Sequence, residues 1–233
     1  MEKYGLEVLI FMKHQFSLKQ FVQIENFWKR IGIMLPSVFF MGFTLSILIE
    51  VGWGTDPASF FLLNLSNLIG FSFGNTQVIV YSCMFLLVFI FGSQYIGFGT
   101  LANMLLIGYI SDFFRFVWNK IGYSNLIDTN FSIQLISFIL ALLVFVIVAA
   151  FYINSKTGVA PYDALPQIIS DALPKIPFAP LRIVYDLSFV LFGFIFSLFA
   201  LNGLQGSVIG SIALSILIGP TITLVGKIIN KIM

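Results

Sequence analysis

The stretch Gly158-Val159-Ala160-Pro161-Tyr162-Asp163 decides how this chain is read. It follows a long apolar run that ends near Ile153. A glycine and a proline three positions apart stop that helix and open another. The same interruption stands earlier, as Gly54-Thr55-Asp56-Pro57, again after a long apolar run. Gly158 lies 104 positions after Gly54, and Pro161 lies 104 positions after Pro57. Punctuation repeated at a fixed offset reads as one unit written twice.

Composition supplies the solvent. Of 233 residues, 59% are hydrophobic and 9% charged, against about 25% charged in soluble domains. A soluble fold of this length has too little interior for so much apolar surface. Lipid removes the difficulty. A net charge of +2 leaves no basic footprint for nucleic acid. The lone Cys83 and lone His14 rule out an internal disulfide and argue against Cys- or His-based metal sites. The motifs GxxxxGK[ST], HExxH, GxSxG and CxxC are absent. The expectation is therefore a non-enzyme with no cofactor. No signal peptide is evident.

Six spans are expected, at 31–51, 76–92, 97–117, 131–154, 182–200 and 208–226. Each is near the ~20 residues that cross ~30 Å of hydrocarbon. The class is an all-α polytopic membrane protein, one domain over 31–233, preceded by a cytoplasmic or interfacial segment over 1–30. Ser17-Leu18-Lys19-Gln20 resembles a capping box that opens an interfacial helix there. With both termini cytoplasmic, every Lys and Arg except Arg115 and Lys120 falls on or near that side, which is a positive-inside bias.

Between spans lie 57–69 and 161–173, too short to cross, hence interfacial or re-entrant half-helices. Asp56 suits the N-cap and Pro57 the first helical position, while Pro166 makes the second segment irregular. Each half reads span, break, short helix, span, span: repeat 1 over about 31–117 and repeat 2 over about 131–226. Phe73, Phe89, Ile90 and Phe91 match Phe178, Phe194, Ile195 and Phe196 at offset 105. The pair Gly99 and Gly108 matches Gly210 and Gly219 at offset 111. An odd number of spans per half makes the repeat inverted, with a pseudo-two-fold axis in the membrane plane. Such halves make a central site with two near-equivalent gates. Inverted duplication is also simply a way to build a stable bundle.

Arg182 and Asp186 are the strongest candidates, four apart on one face of span five. Either they line a site, binding an anionic group or exchanging a proton, or Arg182 snorkels to the surface and Asp186 neutralises it. The matching face of span two carries Gln77 and Tyr81. The breaks add Gly54, Pro57 and Ser59 in one half and Gly158, Pro161, Tyr162 and Asp163 in the other, because amides at a half-helix N-terminus favour anions. Asn103 sits in mid-span, where its amide reads as interhelical glue or as a substrate contact. The stripe Ser207, Ser211, Ser215 and Gly219 reads as packing, Glu50 as interfacial and Cys83 as a small filler.

Gly54-Thr55-Asp56-Pro57, Gly99-Thr100-Leu101-Ala102-Asn103, Gly158 to Asp163, Arg182 with an acid four residues on, and Ile218-Gly219-Pro220 together resemble the YczE/YyaS/YitT type of bacterial integral membrane protein. The likeness covers about 31–225. That family's first break continues Pro-Trp-Asp, where this chain has Pro57-Ala58-Ser59. The resemblance implies a six-span, multi-pass protein of the bacterial inner membrane. It leaves the activity open. The leading expectation is a permease-like secondary transporter for a small polar or anionic solute, proton-coupled through Asp186 or Asp163. The alternatives are a non-transporting accessory, scaffold or sensor protein, and a substrate-binding subunit served by a separate ATPase. Expected partners are the bilayer, the solute, and either a further copy or another membrane protein, with no nucleic acid.

Overall fold

A computed structural model describes residues 25–232. The expected interfacial helix from Ser17, with His14, Lys3, Lys13 and Lys19, lies outside the described residues. The described part is helical throughout: α1 (Phe27–Val51), α2 (Pro57–Ile69), α3 (Phe73–Phe91), α4 (Phe98–Lys120), α5 (Tyr123–Thr129), α6 (Phe131–Asn154), α7 (Pro161–Ala172), α8 (Phe178–Phe199) and α9 (Val208–Ile232). A single 3-10 turn, Ser93–Tyr95, joins α3 to α4. Among the described residues, α1, α3, α4, α6 and α8 are long and apolar enough to cross a membrane.

Polarity is distributed as lipid requires. The outward faces carry Leu86, Leu87, Phe113, Phe116, Ile136, Leu140, Leu143 and Val184, all exposed. The buried faces hold Ser37, Thr44 and Ser46 beside Val38, Leu45 and Leu48. Those hydroxyls donate to carbonyls of their own helix: Ser37 to Ile33, Thr44 to Phe40, and Ser46 to Phe43. Small self-satisfied residues let α1 approach its neighbours closely without stranding a polar group.

α1 is the central strut. It lies antiparallel to α6. Arg30 at its start donates to the Ser155 carbonyl, and the Val51 carbonyl at its end accepts from Gln134. It lies parallel to α4, through the Phe27–Phe98 ring contact at one end and the Arg115–Glu50 ion pair at the other. The short α2 runs beside α8, with Phe61 against Phe189 and Phe196. Likewise α7 packs against α3. Each half-helix therefore packs on a long helix of the other half of the chain.

Both breaks use glycine for the same two reasons. Gly54 (φ 131°) and Gly158 (φ 107°) occupy backbone that L side chains avoid. Each is also pressed on a distant helix start. A Cβ on Gly54 would stand 2.6 Å from the Gly210 carbonyl carbon, and one on Gly158 would stand 2.5 Å from the Gly97 nitrogen.

Four expectations need correction. α8 begins at Phe178, four residues before the expected start, because Pro180 falls in its first turn, where a missing N–H costs nothing. α3 begins at Phe73, capped by Ser72, whose hydroxyl accepts from the Asn75 amide. α7 is continuous through Pro166. Cys83 is exposed on α3 and fills no interior space. The short α5 and the 3-10 turn were not anticipated.

Candidate functional site

The site grows from the first turn of α7. Pro161 occupies the first helical position, and the N-cap residue, Ala160, has no side chain to offer the free amides. Asp163 completes that turn, donating its amide to the Ala160 carbonyl and turning its carboxylate to α8. There Arg182 Nη2 donates to Asp163 Oδ1 at 2.8 Å, and Arg182 Nε donates to Asp186 Oδ2 at 2.9 Å. One guanidinium thus bridges two carboxylates from two helices. The Tyr162 hydroxyl donates to Asp186 Oδ1 at 2.7 Å, and the guanidinium sits 5.3 Å from the Tyr162 ring centroid. Asp186 is only 5% exposed and has both oxygens bonded. It stands eight residues past the start of the 22-residue α8, about 12 Å along its axis.

Pro166 completes the site from within α7. A proline has no N–H, so the carbonyl four residues back loses its helical donor. That carbonyl belongs to Tyr162, and the Tyr185 hydroxyl of α8 donates to it at 3.1 Å. The rings of Tyr162, Tyr185 and Phe189 pack together with centroids about 5 Å apart. The helix break in α7 is thus stitched to α8 by an ion pair, a phenol–carboxylate bond and a phenol–carbonyl bond.

The other break arrives at the same region by a different route. Asp56 caps α2 by accepting from the Ser59 amide at 3.1 Å, with Pro57 at the first helical position. Its second oxygen, Oδ2, is buried and has no hydrogen-bond partner; the neighbouring Thr55 Oγ1 is in the same condition. Asp56 lies within electrostatic range of Asp163, Asp186 and Tyr81. The acid that caps α2 is therefore felt by the charged cluster at the start of α7.

Of the expected site residues, Arg182, Asp186, Asp163 and Tyr162 are in direct contact. Gly158 and Pro161 shape the turn that presents them. Gly54, Pro57 and Ser59 shape the opposite turn. Gln77 and Asn103 are joined to each other: Gln77 Nε2 donates to the Asn103 backbone carbonyl at 2.9 Å, a bond between α3 and α4. Sequence reading passed over Tyr185 and Tyr152. Pro166 was the available signal for Tyr185. Tyr152 is buried and donates to the Gly99 carbonyl at 3.0 Å, tying α6 to α4. Away from the centre, Tyr95 donates to Asp171, and burial followed by that bond pushes its pKa up to about 12. The two best-formed cavities among the described residues do not touch Arg182.

Helices of this length and polarity, joined around an internal ion-pair cluster, define an all-helical membrane-embedded protein. The chain belongs to the family of unknown function DUF6198, whose pattern fits residues 28–227. No curated protein and no solved structure matches it.

Proposed function

We propose that the protein is a permease-like secondary transporter of the inner membrane, with six spans, inverted halves and both termini cytoplasmic. It moves a small polar or anionic solute and performs no catalysis of its own. The observation that carries this reading is the Arg182, Asp163 and Asp186 cluster at the N-terminus of α7, with the α2 cap Asp56 within electrostatic range of its two acids. The antiparallel lie of α1 and α6 supports inversion, since these helices occupy equivalent places in the two halves. The reciprocal packing of α2 on α8 and of α7 on α3 supports it further. The likeness to the YczE/YyaS/YitT type belongs to the same reading and rests on the break motifs.

Arg182 already holds two carboxylates, so an anion binds only by replacing one of them. Asp163 is the group that yields. Its side chain is 34% exposed and accepts one bond from Arg182, whereas Asp186 is buried and held twice. Proton coupling through Asp186 or Asp163 belongs to the same proposal. Counterflow of candidate solutes in proteoliposomes tests this, with Asp186→Asn and Arg182→Ala as comparisons. Exchange in the parent chain that both variants abolish supports transport. Absence of uptake and binding, with unchanged cell phenotypes for both variants, removes it. The closed state of the cluster is equally what an accessory protein with a structural ion-pair core would show, and copurification of a stoichiometric membrane partner would select that reading.

A further inference from the structure

A second charged feature lies at the start of α1. Its start and the loop after α6 enclose a pocket of about 240 Å³ lined by Asn26, Lys29, Arg30, Asn154, Ser155 and Lys156, with Ile33 at its floor. Three cations face this space, and no acidic side chain lines it. Among the described residues none of the three takes part in an ion pair. Arg30 is fixed in place by backbone oxygens alone, donating to Ser155 at 3.0 Å and to Glu25 at 2.8 Å. Those bonds orient the guanidinium without neutralising it. The N-cap residue of α1, Asn26, makes no side-chain cap bond, so the first amides of a 25-residue helix add positive potential. Polar atoms and cations converge here, and among the described residues no carboxylate pairs with them.

The neighbourhood identifies the source of that anion. The pocket lies at the end of the bundle where α1 begins, not within its apolar length. Beside Lys29 stands Trp28, 81% exposed, the residue type that settles at the headgroup level. About two to three turns further along α1, Leu35, Phe39 and Phe40 are exposed to the hydrocarbon side. A basic pocket between membrane helices, on a helix that also carries an exposed indole and further apolar surface, matches a phospholipid with its phosphate in the pocket and its chains along the helices. We propose that Lys29, Arg30 and Lys156 bind the phosphate headgroup of an anionic phospholipid. The site does not depend on whether the protein transports.

The test uses the purified full chain and measures its thermal midpoint and, by native mass spectrometry, its retained lipid. The probes are phosphatidylglycerol, phosphatidylcholine and inorganic phosphate. The expected result is a midpoint raised by phosphatidylglycerol and little changed by phosphatidylcholine. In Lys29→Gln/Lys156→Asn the affinity falls about thirty-fold, at roughly five-fold per lysine, while the midpoint in phosphatidylcholine stays at the parent value. Asparagine is chosen at 156 because Lys156 has φ 54°, which asparagine tolerates. Should the double variant fail to fold, Lys29→Gln alone must lower the affinity about five-fold. An equal shift with phosphatidylcholine, or a phosphatidylglycerol effect untouched by the variants, overturns the proposal. A full shift with inorganic phosphate that excludes phosphatidylglycerol overturns the lipid assignment.

Discussion

Removing Arg182 is the sharpest probe of the central cluster. In Arg182→Ala two ion pairs and a cation–aromatic contact vanish together, at 2.8, 2.9 and 5.3 Å. Asp186 is then left buried with one donor, the Tyr162 hydroxyl. Breaking a buried pair from one side costs about 3–5 kcal/mol. The side chains of Arg182 and Asp163 are 27% and 34% exposed, so water screens part of that loss. The lower end, about 3 kcal/mol, is expected. For a chain of this size that is a fall in unfolding midpoint of roughly 6–12 °C. Asp163→Asn removes only the more exposed pair and costs about 1 kcal/mol or less. Arg182→Lys falls between, because one ammonium cannot reproduce a fork that reaches two helices. Asp186→Asn made together with Arg182→Ala costs less than the sum of the two single changes by about 2 kcal/mol, since the stranded charge is gone. Thermal and denaturant unfolding in one detergent measures the cycle. Additive losses, or an Arg182→Ala protein as stable as the parent, would refute the claim that one guanidinium holds α7 to α8.

The Pro166 bond and the glycine contacts give two more tests. Tyr185→Phe costs about 1 kcal/mol in the parent chain, where its hydroxyl serves the Tyr162 carbonyl, and close to nothing in Pro166→Ala, whose new amide takes that carbonyl; a double-mutant cycle of unfolding energies reads the difference, and equal costs in both backgrounds count against the assignment. Gly210→Ala would place its Cβ on the Trp53 carbonyl oxygen, and Gly97→Ala would do the same on Thr157, so both lose folded protein by size-exclusion profile. Gly32→Ala meets no atom within 4 Å and changes stability by no more than about 1 kcal/mol, in the stabilising direction; a folded Gly210→Ala of parent stability would show that the break is not pressed on α9.

The half-helices were the most legible part of the chain. Glycine and proline act locally, so 57–69 was read to the residue and 161–173 to within one. The pair Arg182 and Asp186 was also local, being one helical turn apart. Asp163 was named as a site residue, but its partner was not, because Arg182 lies 19 positions on in another helix. One proline misled. At Pro166 it suggested irregular chain, where a tyrosine from α8 supplied what the missing amide could not. Gln77 was read as the neutral match of Arg182 and Asn103 as glue or a substrate contact; their link was not legible, because the Gln77 amide donates to the Asn103 backbone carbonyl 26 positions away.

The two breaks share a backbone design and differ in how they spend their acid. In α2 the acid is the cap: Asp56 holds its own Ser59 amide and is closed on itself through one oxygen. In α7 the cap position is Ala160, and the acid stands three residues later, where it reaches outward to Arg182. The same turn is thus self-contained in one half and exported in the other. The long helices repeat the contrast. Positions 182 and 186 of α8 carry Arg and Asp, where the matching positions of α3, Gln77 and Tyr81, carry neutral groups. One cation therefore faces three acids: Asp163 and Asp186 in contact, and Asp56 within range. In the carrier we propose, this excess of carboxylate over guanidinium supplies an acid that the solute can displace; in a structural ion-pair core the same excess is borne by the partial exposure of Asp163 to water.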